Sequence, residues 1–103
     1  MTFDFEKMQV YQRSLEALDC ATVIAEKIPR GHRPLADQLK RAAASVCLNT
    51  AEGAGEYKKD EKMRFNRMAL RSASESASIV QIVFRLSFIQ KQLYLESYSN
   101  FER

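Results

Sequence analysis

QLKRAAASVCLNTAEGAG, residues 38–55, is the stretch that decides the fold of this 103-residue chain. On a helix of 3.6 residues per turn it separates into two neighbouring stripes. Together with the residues just before it, the apolar stripe contains Leu35, Leu39, Ala43, Val46 and Thr50. The polar stripe contains Gln38, Arg41, Ser45, Asn49 and Glu52. A helix with one apolar side is stabilised mainly by packing against other helices, so the stretch predicts a helical bundle.

The polar stripe is expected to be structural. Polar side chains held in a row on a helix usually hydrogen-bond to one another or to a neighbouring helix. We predict a seam with the third helix in which Glu52 pairs with Arg67 or Arg71. The residues assigned to this structural motif are Gln38, Ser45, Asn49, Glu52, Gly53 and Gly55.

The first two helices have clear end signals. The first is predicted from Phe5 to Ile28, about 36 Å long, with Asp4 as its cap and Pro29 after its end. The second begins with Pro34 in its first turn. Gly53 and Gly55 are expected to end it by adopting the left-handed conformation of a C-cap. Since the intervening loop, residues 31–33, is short, these two helices should be antiparallel neighbours.

The second half of the chain predicts one long and one short helix. The third helix should start near Asp60 and Glu61, whose charges favour a helix N-terminus, and should reach about Ile89, some 45 Å away. Only fourteen residues follow Ile89, so a fourth helix would be at most about 18 Å long. No turn residue marks the break, and a continuous third helix is the alternative.

Positive charge is concentrated in the middle of the chain. The net charge is +3, with −3 over residues 1–26, +6 over residues 27–71 and zero over residues 72–103. An acidic partner would be attracted to the middle segment. The candidate nucleic-acid-binding residues are Lys40, Arg41, Lys58, Lys59, Lys62, Arg64, Arg67 and Arg71. A solvated helix surface is the competing interpretation, because Asp60 and Glu61 interrupt this series.

Nothing in the sequence predicts catalysis, a metal site or a cofactor. Cys20 and Cys47 lie among apolar residues and are expected to be reduced structural thiols. His32 lies in a loop without a second ligand nearby, and Ser45 has no candidate base. No apolar run is long enough to span a membrane, and Met1–Val10 does not have the pattern of a secretory signal. We therefore expect a cytoplasmic protein.

Several motifs resemble those of the large-subunit (23S) ribosomal RNA intervening-sequence proteins, also called four helix bundle proteins. The similar segments are Val10-Tyr11-Gln12, Ile28-Pro29, residues 38–55 with their Asn-x-Ala-Glu-Gly core, and Phe65, Ala69, Ser72 and Glu75. The resemblance implies an all-α, antiparallel up-down four-helix bundle, here a single domain over residues 1–103 with a short fourth helix. It also implies a homopentamer with a basic surface. The similar accessory proteins of diversity-generating retroelements bind nucleic acid and a reverse transcriptase.

Three features depart from the family pattern. Glu56 follows the second glycine of the motif, where members commonly have a basic residue. The turn before the last helix, Leu86–Ile89, has Ser87 in place of glycine. The last helix is also about half of its usual length.

These features together predict a non-enzymatic, oligomeric protein that binds RNA or DNA without strong sequence specificity. The alternative is a protein-interaction or scaffolding module that docks a partner on an exposed helical groove. A short fourth helix leaves only three helices at the end of the bundle that carries the basic residues. The isolated chain is therefore not expected to be a stable monomer.

Overall fold

The computed structural model describes Phe5 and residues 8–101. This part of the chain forms four α-helices within an envelope of 44 × 22 × 22 Å. They are α1 (Gln9–Lys27), α2 (Arg33–Ala54), α3 (Lys59–Arg85) and α4 (Lys91–Phe101), and a short 3-10 turn at Arg30–His32 joins α1 to α2. No helix in the described ranges is long and apolar enough to cross a bilayer.

All four helices contribute to one hydrophobic core. Its completely or almost completely buried aliphatic side chains include Ile24, Leu39, Val80 and Val83. Burial of each such side chain stabilises the fold by about 1.5–3 kcal/mol. Small residues alternate with these large ones and allow the helices to approach closely: Ala17, Ala21, Ala43, Ser76 and Ser97.

Each helix contacts the next one in the chain, and α4 also contacts α1. The Cys47 thiol donates a hydrogen bond to the Ser14 carbonyl oxygen, which joins the first half of α1 to the second half of α2. The Gln38 side chain near the start of α2 reaches Glu75 in the second half of α3. Near the end of α3, the Phe84 ring stacks on Tyr94 of α4 at a centroid distance of 4.4 Å.

The beginning of α1 differs from the prediction. The helix starts at Gln9 rather than Phe5, and Met8 in an extended conformation precedes it. The predicted cap, Asp4, lies outside the described residues. The other end is close to the prediction, because α1 finishes at Lys27 and extended Ile28 leads into Pro29.

The predicted role of the glycines at the end of α2 is wrong. Gly55 has φ −86° and ψ −4°, which is right-handed, and no glycine in the described ranges has a positive φ. Gly53 lies inside the helix and is buried. A Cβ atom on Gly53 would lie 3.2 Å from the Phe65 Cβ of α3. The structure therefore relates Gly53 to the close approach of two helices and not to freedom to turn the chain.

The third helix is shorter than predicted, and α4 is a separate helix. α3 ends at Arg85, and the left-handed residue that terminates it is Ser87, with φ 66°. The Ser87 N–H donates to the Phe84 carbonyl at 2.9 Å, and the Phe88 N–H donates to the Val83 carbonyl at 3.0 Å. These two bonds form a Schellman motif. Serine occupies the position where glycine would fit without strain, which explains why no turn signal was visible in the sequence.

Candidate nucleic-acid interface

The polar stripe of α2 lies against α3. The Ser72 hydroxyl donates to the Ser45 hydroxyl at 2.9 Å, and the Asn49 amide donates to the same Ser45 oxygen at 2.9 Å. Near the start of α2, about four turns from Glu52, the Gln38 amide donates to a Glu75 carboxylate oxygen at 3.0 Å. The structure therefore places two of the predicted seam residues, Gln38 and Ser45, in hydrogen bonds to α3, and Asn49 supports Ser45 from within α2.

The predicted ion pair of Glu52 with Arg67 or Arg71 is absent. Only Lys40–Asp37 and Arg64–Glu61 form ion pairs within the described part of the chain. The register of the two helices explains why Glu52 does not reach Arg71. Gly53 lies against Phe65, whereas Ser45 lies against Ser72. Arg71 is therefore level with Ser45, two turns from Glu52.

Lys62 stabilises the corner between α2 and α3. Its ammonium group donates to the carbonyl oxygens of Gly53 at 3.2 Å and Ala54 at 3.4 Å. These carbonyls lie in the last turn of α2, where the helix dipole favours a positive charge, and the Gly53 carbonyl also accepts from the Glu56 N–H at 3.3 Å. The predicted phosphate-binding role of Lys62 therefore competes with its contact to the end of α2.

Two more of the predicted cations have carboxylate neighbours. Arg64 donates from Nε and Nη2 to one carboxylate oxygen of Glu61, at 3.2 and 3.0 Å, and its guanidinium lies 4.6 Å from the centre of the Phe65 ring. Lys40 lies 3.9 Å from Asp37. Lys40 also lines a cleft between α1 and α2, on a different side of α2 from the seam.

The remaining five predicted cations are exposed. Arg41 is one helical turn before Ser45 on α2, and Arg71 is next to Ser72 on α3, so both lie beside the contact between the two serines. Arg67 is one turn before Arg71, toward the start of α3. None of the five forms an ion pair with a described residue. We call this set the free cations: Arg41, Lys58, Lys59, Arg67 and Arg71.

An apolar groove opens between α1 and α3 at the end of the bundle near Gly53. It consists of two adjoining clefts that share Val10, Thr50, Ala69 and Leu70. Asn100 and Phe101 of α4 line the first cleft, whereas no described residue of α4 lines the second. As a result Val10 is 50% exposed and Leu70 is 60% exposed. We refer to these two clefts as the α1–α3 groove.

A family model described as 23S rRNA-intervening sequence protein matches residues 6–103. The chain belongs to this family. No curated protein matches its sequence. Residues 38–55, which carry the resemblance to the intervening-sequence proteins, are also the residues that form the seam and the Gly53 contact with α3. The motif therefore has a structural explanation, and the family name by itself states no activity.

One exposed residue of this intervening-sequence protein was not identified from the sequence. Tyr57, in the connection between α2 and α3, is 100% exposed. The only signal was an aromatic residue outside every helical stripe, next to Lys58 and Lys59. The exposure of a loop residue depends on whether neighbouring helices cover it, which the local sequence does not specify.

The cysteines and the histidine have local contacts. Cys47 is buried, and its thiol lies 3.2 Å from the Ser14 carbonyl oxygen. Cys20 accepts a hydrogen bond from the Asn100 amide at 3.2 Å, so it connects α1 to α4. The His32 ring contacts the Phe88 ring at a centroid distance of 5.0 Å. No group of three His, Cys, Asp or Glu residues that could hold a metal ion occurs among the described residues.

Proposed function

We propose that this protein is a non-enzymatic binding protein that contacts the phosphate backbone of RNA or DNA through the free cations. The observation that carries the proposal is that all five are exposed and form no ion pair within the described chain. A cation that is already paired with a carboxylate gains less from a phosphate, because the first contact must be broken or shared. The predicted set is therefore reduced to Arg41, Lys58, Lys59, Arg67 and Arg71.

Contacts of this kind have a measurable signature. Each phosphate that is neutralised on a DNA duplex changes the slope of log K against log salt by about −0.9, and on a single strand by about −0.7. Contacts to phosphates carry no sequence information. We therefore expect steep salt dependence and similar affinities for nucleic acids of unrelated sequence.

Fluorescence anisotropy with labelled RNA and DNA of arbitrary sequence, at several salt concentrations, tests the proposal. The triple variant Arg41→Glu, Arg67→Glu, Arg71→Glu should weaken binding strongly and should make the salt slope shallower by about 0.9 for each lost contact to duplex DNA. If the unmodified protein does not bind at low salt, the proposal is wrong.

A matched variant distinguishes the loss of specific contacts to the phosphates from the effect of a changed net charge. Arg33→Glu, Arg85→Glu and Lys91→Glu change the net charge by the same amount at exposed positions that lie at the other end of the helices. This variant should reduce affinity much less than the first triple variant and should keep most of the salt slope. Equal losses in the two variants would show that only net charge matters and would contradict a defined surface.

We infer that the four helices form an antiparallel up-down bundle that is completed by other copies of the chain. The pairing of Ser14 with Cys47, of Gln38 with Glu75 and of Phe84 with Tyr94 supports this order of helix directions. The α1–α3 groove supports oligomerisation, because apolar side chains on a monomer surface gain stability when a second subunit covers them. A homopentamer is the assembly that the family resemblance favours, and a cytoplasmic location is consistent with the two unpaired cysteines.

Light scattering and sedimentation test the assembly. Leu70→Asp places a charge in the α1–α3 groove and should dissociate the oligomer, because a charge buried at an interface is costly. Leu48→Asp is the control, since Leu48 is 66% exposed on α2 away from this groove. A well-folded monomer of the unmodified protein at micromolar concentration would contradict the proposal.

The same groove favours the second candidate function, a protein-interaction or scaffolding module. An amphipathic helix of a partner protein could place its apolar side against Val10 and Leu70. In that case Leu70→Asp abolishes capture of one defined protein, while the triple variant at Arg41, Arg67 and Arg71 captures it normally. The opposite pattern favours nucleic-acid binding.

A further inference from the structure

The connection between α2 and α3 carries an aromatic ring that packs against nothing in the described structure. Tyr57 is fully exposed, and the exposed residues Lys58 and Lys59 follow it directly. A tyrosine in a folded protein usually buries part of its ring, because the ring is apolar apart from its hydroxyl group. Here the ring offers a flat apolar surface beside two ammonium groups.

Charge alone gives this connection little attraction for a phosphate. Glu56, which is half-buried, and the exposed Asp60 lie on either side of Tyr57, Lys58 and Lys59. The two carboxylates formally cancel the two ammonium groups within the segment. Lys62, the next cation along the chain, is bound to the carbonyl oxygens of Gly53 and Ala54. A ligand at this position would therefore gain more from the ring than from the net charge.

Unpaired nucleobases are the nucleic-acid groups that fit such a ring. Every base has a planar face that can stack on an aromatic side chain, and nearby cations can contact the adjoining phosphates. In a duplex these faces are already stacked on neighbouring base pairs, and only the edges and the backbone are accessible.

We propose that Tyr57 stacks on an unpaired base, so that the protein prefers single-stranded nucleic acid to duplex. Lys58 and Lys59 contact the phosphates on either side of that base. This inference rests on the nucleic-acid binding proposed above. It assigns to Tyr57 the preference for single-stranded over double-stranded nucleic acid. Arg41, Arg67 and Arg71 contact the backbone of single strand and duplex alike.

Substitution of the ring tests the inference in the full chain. Tyr57→Ala should weaken binding of an oligouridylate about fivefold or more, by the usual contribution of one stacked base, and should leave binding of an RNA duplex of the same length nearly unchanged. The factor should be similar at low and moderate salt, because stacking does not release counterions. Tyr57→Phe keeps the ring and should bind both nucleic acids like the unmodified protein.

Fluorescence provides a direct readout of stacking. The chain contains no tryptophan, so Tyr57→Trp introduces a single tryptophan fluorophore at this position. Its emission should be quenched when oligouridylate binds and should change little with the duplex. Leu95→Trp is the control, because Leu95 is an exposed residue of α4 far along the chain from the connection. Its emission should respond to neither nucleic acid.

The possible failures are distinguishable. If Tyr57→Ala binds oligouridylate normally while the triple variant at Arg41, Arg67 and Arg71 does not, the stacking inference is wrong and the proposed function stands. Equal losses for single strand and duplex also overturn it. A Tyr57→Ala protein that sediments as a smaller assembly would show that the ring contacts another subunit instead. If the unmodified protein binds neither nucleic acid, both the proposed function and this inference are wrong.

Discussion

Replacement of Gly53 by alanine tests the explanation given for the glycines of the motif. A Cβ at this position would lie 3.2 Å from the Phe65 Cβ and 3.3 Å from the Asn66 Oδ1. Carbon atoms in favourable contact are about 3.5–4.0 Å apart, so the added methyl group is several tenths of an ångström too close. The Phe65 Cβ is attached directly to the α3 backbone and cannot rotate away. The methyl group therefore fits only if α2 and α3 move apart.

Two opposing effects set the magnitude. Alanine favours a helix interior over glycine by about 1 kcal/mol. Forcing an extra methyl group into a close contact costs about 1–3 kcal/mol, and separating the helices also strains the seam between Ser45 and Ser72. We expect Gly53→Ala to lower the free energy of unfolding by about 1 kcal/mol, which corresponds to a decrease in Tm of roughly 4–8 °C.

Gly55→Ala is the matched control. A Cβ on Gly55 would have ordinary contacts, 3.7 Å to the Glu52 carbonyl oxygen and 3.9 Å to that of Ala51. Its right-handed φ and ψ are accessible to alanine. The substitution should raise stability by about 0.4–1 kcal/mol, because it reduces the conformational freedom of the unfolded chain.

Urea unfolding followed by circular dichroism measures both variants. All proteins must be compared at one chain concentration, since oligomerisation makes apparent stability depend on concentration. If Gly53→Ala proves as stable as Gly55→Ala, the close approach of α2 and α3 does not require glycine at position 53. A marked loss of stability in Gly55→Ala would instead restore the left-handed cap that was predicted from the sequence.

Three further substitutions test individual contacts by the same urea assay. Ser87→Gly should stabilise the protein by about 1 kcal/mol, because glycine adopts the left-handed turn conformation without strain; no gain would contradict the strain argument. Ser97→Ala should stabilise the protein by about 1 kcal/mol, because the buried Ser97 hydroxyl has no hydrogen-bond partner among the described residues. Ser76→Ala is the control: it removes a hydrogen bond to the Ser72 carbonyl and should not stabilise the protein. Lys62→Met should destabilise the protein by about 1–2 kcal/mol through loss of the hydrogen bonds to the end of α2. An unchanged urea midpoint would show that these bonds do not stabilise the fold and that Lys62 is available to bind phosphate.

The free cations show how far the sequence predicts the candidate site. The sequence named all five of them among eight candidates, because basic residues are concentrated in residues 27–71. The sequence could not distinguish these five cations from Lys40, Lys62 and Arg64, which contact carboxylate or carbonyl oxygens in the structure. A basic side chain forms an ion pair or a hydrogen bond only if the fold places a carboxylate or carbonyl oxygen next to it. For Lys62 these oxygens belong to the end of α2. Tyr57 was missed for a related reason, since its exposure reflects the absence of any covering helix.

The family, the all-α class and the approximate positions of α1, α2 and α3 could be predicted from the amino-acid sequence alone. The apolar stripes of α1, α2 and α3 follow from the period of 3.6 residues, and a helix needs only hydrogen bonds within its own segment, so local pattern is sufficient. The tertiary structure decided the roles of Gly53, Ser87 and Glu52. Gly53 lies where α3 approaches α2 closely, and Ser87 adopts a left-handed conformation in the turn that leads from α3 to α4. Glu52 does not pair with Arg71 because the register places Arg71 beside Ser45. Each of these depends on the position of a second helix, which is fixed by packing of the whole core and not by the residues on either side.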